Sequence, residues 1–157
     1  MPKTSAGILL YRHCQNKLQV LLAHPGGPYW ARKDLGSWTI PKGEFEPPET
    51  AETAAHREFA EETGMEIEGT LRSLGDCRNK GGKIIYGFAA EGDFDCATLQ
   101  SNEFEIEWPP RSGQRAAFPE IDRSEWFGLP MARQKIHAAQ LIFLDRLEVL
   151  LTQTGQH

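Results

Sequence analysis

The chain has 157 residues, 39% of them hydrophobic, and a formal net charge of −5. That is enough chain for one domain with a real core, and the acidic balance argues against a long nucleic acid as partner. No apolar run approaches the ~20 residues of a membrane span, and residues 1–12 have neither the apolar length nor the cleavage pattern of a signal peptide. Cys14, Cys77 and Cys96 are scattered at spacings that suit neither zinc nor a disulfide framework. They read as free thiols, which places the protein in a reducing cytoplasm.

In chain order, residues 4–12 (TSAGILLYR) and 17–23 (KLQVLLA) predict two strands joined by a polar turn at 13–16. Residues 24–37 form a Gly/Pro-rich loop carrying Tyr29 and Trp30, and 38–40 resume as a short strand. A helix is expected over 49–63. Pro47 and Pro48 precede it, Glu49 and Glu52 suit the positive end of its dipole, and Gly64 can take the left-handed cap. Residues 65–77 and 83–90 read as strands around a basic turn at 78–82. The long polar stretch 101–119 suggests a lid or mobile loop. Residues 124–128 predict a short strand and 131–152 one long amphipathic helix, with Ile136, Leu141, Phe143, Leu144, Leu147, Leu150 and Leu151 as core candidates. No repeat or second-domain linker interrupts residues 1–157, and the pattern supports an α/β or α+β domain.

The segment 43–65 reads GEFEPPETAETAAHREFAEETGM. On a helix, Ala51, Ala54, Ala55, Glu58 and Glu62 fall on one face, with Glu61 at its edge and Thr53, His56, Ala60 and Thr63 turned away. The glutamates therefore continue an inward stripe of small residues. Two carboxylates ~4 Å apart repel by about 1 kcal/mol in water and about 4 kcal/mol at an effective dielectric of 20. A proton or a cation must relieve that. An all-oxygen ligand set suits Mg2+ or Mn2+, the ions of phosphoanhydride cleavage.

Gly43, Glu49, Arg57, Glu58, Glu61, Glu62 and Gly64, with apolar Phe59 and Met65, match every position of G-x5-E-x7-R-E-U-x-E-E-x-G-U. The segment therefore resembles the Nudix box, and the chain is similar to Nudix hydrolases. The resemblance implies an α-β-α sandwich around a mixed β-sheet, with the box as a catalytic loop-helix-loop. It implies that Glu58, Glu61, Glu62 and the Gly43 carbonyl hold the metal. One of these glutamates, or a later one, would serve as general base, and Arg57 would pair with Glu49 to brace the loop.

Two further stretches resemble the bis(5′-nucleosyl)-tetraphosphatase subgroup. Residues 38–43 (WTIPKG) are similar to its W-x-x-P-K-G, and 83–91 (KIIYGFAAE) to its K-x-V-I-Y-x-x-A-E. They nominate Lys42, Lys83, Tyr86 and Trp38 as substrate-binding residues. Glu120, ahead of Glu125-Trp126-Phe127, resembles the late glutamate that acts as base or extra ligand. The expected activity is Mg2+-dependent (or Mn2+-dependent) cleavage of a nucleoside diphosphate linked to another moiety, with dinucleoside polyphosphates preferred. Pyrophosphate release from a nucleoside triphosphate and a catalytically silent nucleotide-binding module are the alternatives. The expected partner is a small nucleotide, with no membrane and no long nucleic acid, and the protein a monomer or homodimer.

Overall fold

The computed structural model describes residues 3–153. Strands β1 (Thr4–Cys14) and β2 (Lys17–Pro25) form an antiparallel hairpin, longer than the sequence predicts. Gln15 and Asn16 both have positive φ, 53° and 65°. That is the two-residue turn whose twist matches the flanking strands.

β3 (Lys42–Glu44) leads into helix α1 (Ala51–Thr63), followed by β4 (Arg72–Arg78) and β5 (Ile84–Glu91). β6 (Glu103–Glu107), β7 (Arg115–Pro119) and β8 (Ile121–Gly128) precede helices α2 (Leu129–Lys135) and α3 (Leu141–Gln153). The main sheet runs β4-β5-β1-β2-β8 and is mixed, because β5 lies parallel to β1 while the other neighbours are antiparallel. β3 pairs with β1 at residues 5–7, and β2 pairs with it at residues 11–14. Since β5 occupies the opposite edge of β1, β2 and β3 share one edge and leave a fork between them.

Alternation along β1 divides the core. Ala6, Ile8 and Leu10 pack with Ala54, Ala55, Phe59 and Phe88 beneath α1. Leu9 and Tyr11 pack with Val20, Leu22, Trp38, Phe143, Leu144 and Leu147 beneath α3. This is the α-β-α sandwich that the resemblance implies.

Several expectations need correction. Helix α1 starts at Ala51 rather than at residue 49, because the hydroxyl of Thr50 accepts the Thr53 N–H and caps it. Thr63 is fully buried rather than turned outward, and its hydroxyl donates to the Phe59 carbonyl at 2.7 Å. The stretch 101–119 is not a loop: β6 and β7 pair, with Phe104 opposite Phe118 and Ile106 opposite Ala116. Finally, the helix expected over 131–152 is broken. Ile136 is extended and bridges to Trp38, and the His137 N–H donates to the Trp38 carbonyl at 2.7 Å. Pairing with the 38–40 segment therefore outcompetes helix continuation and separates α2 from α3. The segment 38–40 itself makes only isolated bridges, to Ala23 and Ile136. The first expected post-box strand begins at Arg72, after an irregular stretch from 64 to 71.

Candidate active site

A cavity of about 770 Å³ opens where β3, the N-terminal part of β1, α1 and the α2–α3 connection meet. Glu58, Glu61 and Glu62 of α1 line it, with Glu120 from the junction of β7 and β8, Lys42 and Gly43 from β3, and Lys83 from just before β5. The sequence nominated all of these residues.

Their positions follow from local structure. Glu58 and Glu62 lie one helical turn apart on the buried side of α1, and both are about nine-tenths buried. Gly43 is required by close approach: a Cβ there would sit 1.8 Å from Glu58 Oε2. Glu120 is fixed by its backbone, whose N–H donates to Asn102 O at 2.8 Å and whose carbonyl accepts the Gly26 N–H at 2.9 Å.

Arg57 organises the acidic side. Its Nε and Nη2 hold the two carboxylate oxygens of Glu49 at 2.8 and 2.9 Å. Its Nη1 donates to Glu58 Oε1 at 2.7 Å and to Glu61 Oε2 at 3.1 Å. The Glu49–Arg57 brace that the resemblance implies is thus present.

The electrostatics are those of crowded, desolvated acids. Burial, with Glu120 and Glu58 adding repulsion, pushes the Glu62 carboxyl up to about 8. Burial also raises Glu58 and Glu120, against the opposing pull of Arg57 and Lys42 respectively. Burial lowers the Lys42 ammonium, while Glu62 pulls it back up. Glu62 Oε2 is buried without a hydrogen-bond partner. A native protein that keeps such an oxygen has some other use for it.

Among the described residues, no three acidic, histidine or cysteine side chains converge tightly enough to grip one ion as they stand. Glu58 and Glu61 are instead held by the guanidinium of Arg57. The donor set still fits a hard divalent cation. It is all oxygen, one carboxylate oxygen is orphaned, and burial together with the neighbouring Glu120 and Glu58 pushes Glu62 far from its usual range.

Two nominated residues lie elsewhere. Tyr86 packs on the α1 face against Phe45, with ring centroids 6.2 Å apart, whereas its neighbour Ile85 lines the cavity. Trp38 is 1% exposed, donates its indole N–H to Asp34 at 2.8 Å and stacks edge-on with His24 and Phe127. It belongs to the core.

The cavity is also lined by residues that sequence reasoning did not assign to the site: Thr39, Asn79, Asn102, His137 and Gln140. None belongs to a spaced motif. Trp30, from the 24–37 loop, lines it as well.

Comparison with known proteins agrees with the geometry. An RNA pyrophosphohydrolase of Erythrobacter litoralis (strain HTCC2594) is 40% identical over 65 residues, which is 38% of this chain and 38% of that protein's own length. The fold matches a C. elegans Ap4A hydrolase binary complex with TM-score 0.67 at 24% identity, covering 96% of this chain and 98% of that one. It also matches the NUDIX domain of Shewanella oneidensis NrtR complexed with ADP ribose, with TM-score 0.65 at 18% identity, covering 96% and 89%. The model of the NUDIX domain matches residues 1–147, so this chain belongs to the NUDIX domain family.

Proposed function

We propose that the protein is a Mg2+-dependent hydrolase of a phosphoanhydride in a nucleoside diphosphate linked to another moiety, with dinucleoside polyphosphates as the preferred class. The observation that carries the proposal is the orphaned, buried oxygen of Glu62, placed between Glu58 and Glu120 on a cavity that also presents Lys42 and Lys83. Such a floor binds a cation and a phosphate chain better than it binds either alone. The likeness to an Ap4A hydrolase fold favours the dinucleoside class.

Glu58, Glu61, Glu62 and the Gly43 carbonyl would hold the cation. When bound, it neutralises phosphate charge and lowers the pKa of water. Lys42 and Lys83 donate to phosphate oxygens as point charges. Arg57, locked on Glu49, keeps Glu58 and Glu61 oriented towards the cavity. Glu120, raised by burial and lining the cavity, would take a proton from the attacking water.

A second reading is favoured by the RNA pyrophosphohydrolase relative: release of pyrophosphate from a triphosphate. Product analysis separates the two. The protein is incubated in Mg2+ with diadenosine tetraphosphate, nucleoside triphosphates, ADP-ribose and NADH, and the products are resolved by ion exchange. Conversion of diadenosine tetraphosphate to ATP and AMP supports the first reading, and pyrophosphate from a triphosphate the second. Nucleotide binding without any turnover would overturn both in favour of a silent binding module. No helix among the described residues is long and apolar enough to cross a membrane. A cytoplasmic site of action goes with the proposed substrates.

A further inference from the structure

The α2–α3 connection brings His137 and Gln140 to the cavity wall. Gln140 is 2% exposed, and its Oε1 accepts the Ile40 backbone N–H at 3.0 Å. A backbone N–H can only donate, so the amide orientation is fixed, and its NH2 group is the part left to the cavity. Among the described residues, no acceptor takes those hydrogens. His137 Nδ1 accepts the Ala139 N–H at 3.2 Å. Its lone pair is thereby committed, and the imidazole carries its hydrogen on Nε2.

Two neighbouring side chains therefore turn donors to the cavity, while the Gln140 oxygen and His137 Nδ1 are turned to backbone N–H groups. We propose that Gln140 and His137 read the nucleobase of the substrate and select guanine over adenine. The O6/N7 edge of guanine presents two acceptors, whereas the N6/N7 edge of adenine presents a donor beside an acceptor. At this pair, an adenine amino group would face the Gln140 NH2 and the His137 N–H instead of an acceptor. The base is held against the indole of Trp30, which lines the same cavity with Lys33 Nζ 4.8 Å from its ring centre. Residues 40–42 connect the Gln140 anchor at the Ile40 N–H to Lys42, and their backbone spans no more than about 10 Å. One nucleotide can thus reach from this pair to the phosphate-binding lysine.

The inference rests on the hydrolase reading for its substrate but is tested by a ratio. kcat/KM is measured in Mg2+ for GTP against ATP and for diguanosine against diadenosine tetraphosphate. The wild-type protein favours guanine about tenfold or more in whichever pair it turns over. Gln140→Glu keeps an oxygen for the Ile40 N–H but replaces the NH2 with an acceptor, so the preference collapses or reverses. His137→Asp keeps an acceptor for the Ala139 N–H and carries no donor in its place, so the ratio falls. It decides the matter if Gln140→Glu does not fold. A wild-type ratio near one overturns the inference and leaves the hydrolase reading intact. So do variants that weaken both bases equally, since the donors would then be holding phosphate or ribose. If no substrate turns over, the hydrolase reading fails. Calorimetric titration with GDP and ADP then decides the base preference alone, with equal affinities overturning it.

Discussion

Arg57 grips both carboxylate oxygens of Glu49, at 2.8 and 2.9 Å, across eight residues of chain. The same guanidinium uses its remaining nitrogen to hold Glu58 and Glu61. One planar cation thus ties the loop before α1 to two of the three acidic side chains proposed to bind metal. Lysine has no fork geometry and cannot make these contacts together. Arg57→Lys is expected to lower turnover by about 10- to 100-fold, as loss of an orienting partner does in metal sites. The circular dichroism spectrum should be preserved. Unchanged steady-state kinetics would show that the brace is decorative.

Glu62 is costly to the fold in proportion to its use. It is about nine-tenths buried, with one oxygen unpartnered. Glu62→Gln removes the buried charge while keeping the shape. In EDTA at about pH 8, the thermal midpoint should rise, on a scale of roughly 2–4 °C per kcal/mol for a chain of this size. Turnover in Mg2+ should fall by about a hundredfold or more. A variant both less stable and fully active would contradict the role assigned to this carboxylate.

The raised carboxyls also set a pH dependence. Glu62 moves from its usual 4.5 to about 8, and Glu58 and Glu120 move in the same direction. Between those values the folded protein holds a proton that the unfolded chain has released. The contribution of these three groups to metal-free stability is therefore fully present below the usual carboxylate range and is lost as pH rises towards about 8. Melting curves in EDTA from about pH 5 to about pH 9 should show this decline, flattened in Glu62→Gln. Mg2+ competes with the proton, so it should stabilise more at the alkaline end. A midpoint that climbs with pH in EDTA would contradict the burial of these acids.

Gly43 is a steric requirement. A Cβ there would fall 1.8 Å from Glu58 Oε2 and 2.0 Å from its carboxyl carbon. Gly43→Ala must displace the Glu58 carboxylate, because the β3 backbone is held by β1. The expected result is loss of Mg2+ affinity and of turnover with the sheet intact, checked by metal titration alongside far-UV circular dichroism. Normal Mg2+ binding in this variant would place the metal elsewhere.

The acidic half of the site was legible because its chemistry is spaced along one loop and one helix. Fixed offsets from Gly43 to Gly64 carry both the fold of the segment and the acidic cluster that lines the cavity. The other half depends on long-range pairing. Trp38 meets Ile136 and His137 across about a hundred residues, and the pairing of these two segments breaks the terminal helix and presents Gln140. Nothing periodic in 131–152 announces it. The hairpin at 103–119 did carry a signal, since Phe104 and Ile106 alternate with glutamates, but Pro109, Pro110 and the polar turn masked it. Tyr86 failed by phase. Strand side chains alternate, so Ile85 lines the cavity and Tyr86 faces α1.

The glutamates of α1 are proposed to run a metal-dependent hydrolysis of a phosphoanhydride. The most direct test is turnover of diadenosine tetraphosphate and GTP in 18O-enriched water with Mg2+, followed by mass spectrometry of the products. The account predicts cleavage with a single 18O in one phosphate product, abolished by EDTA and by Glu62→Gln. Turnover that persists in EDTA, or in Glu62→Gln at the wild-type rate, would contradict it.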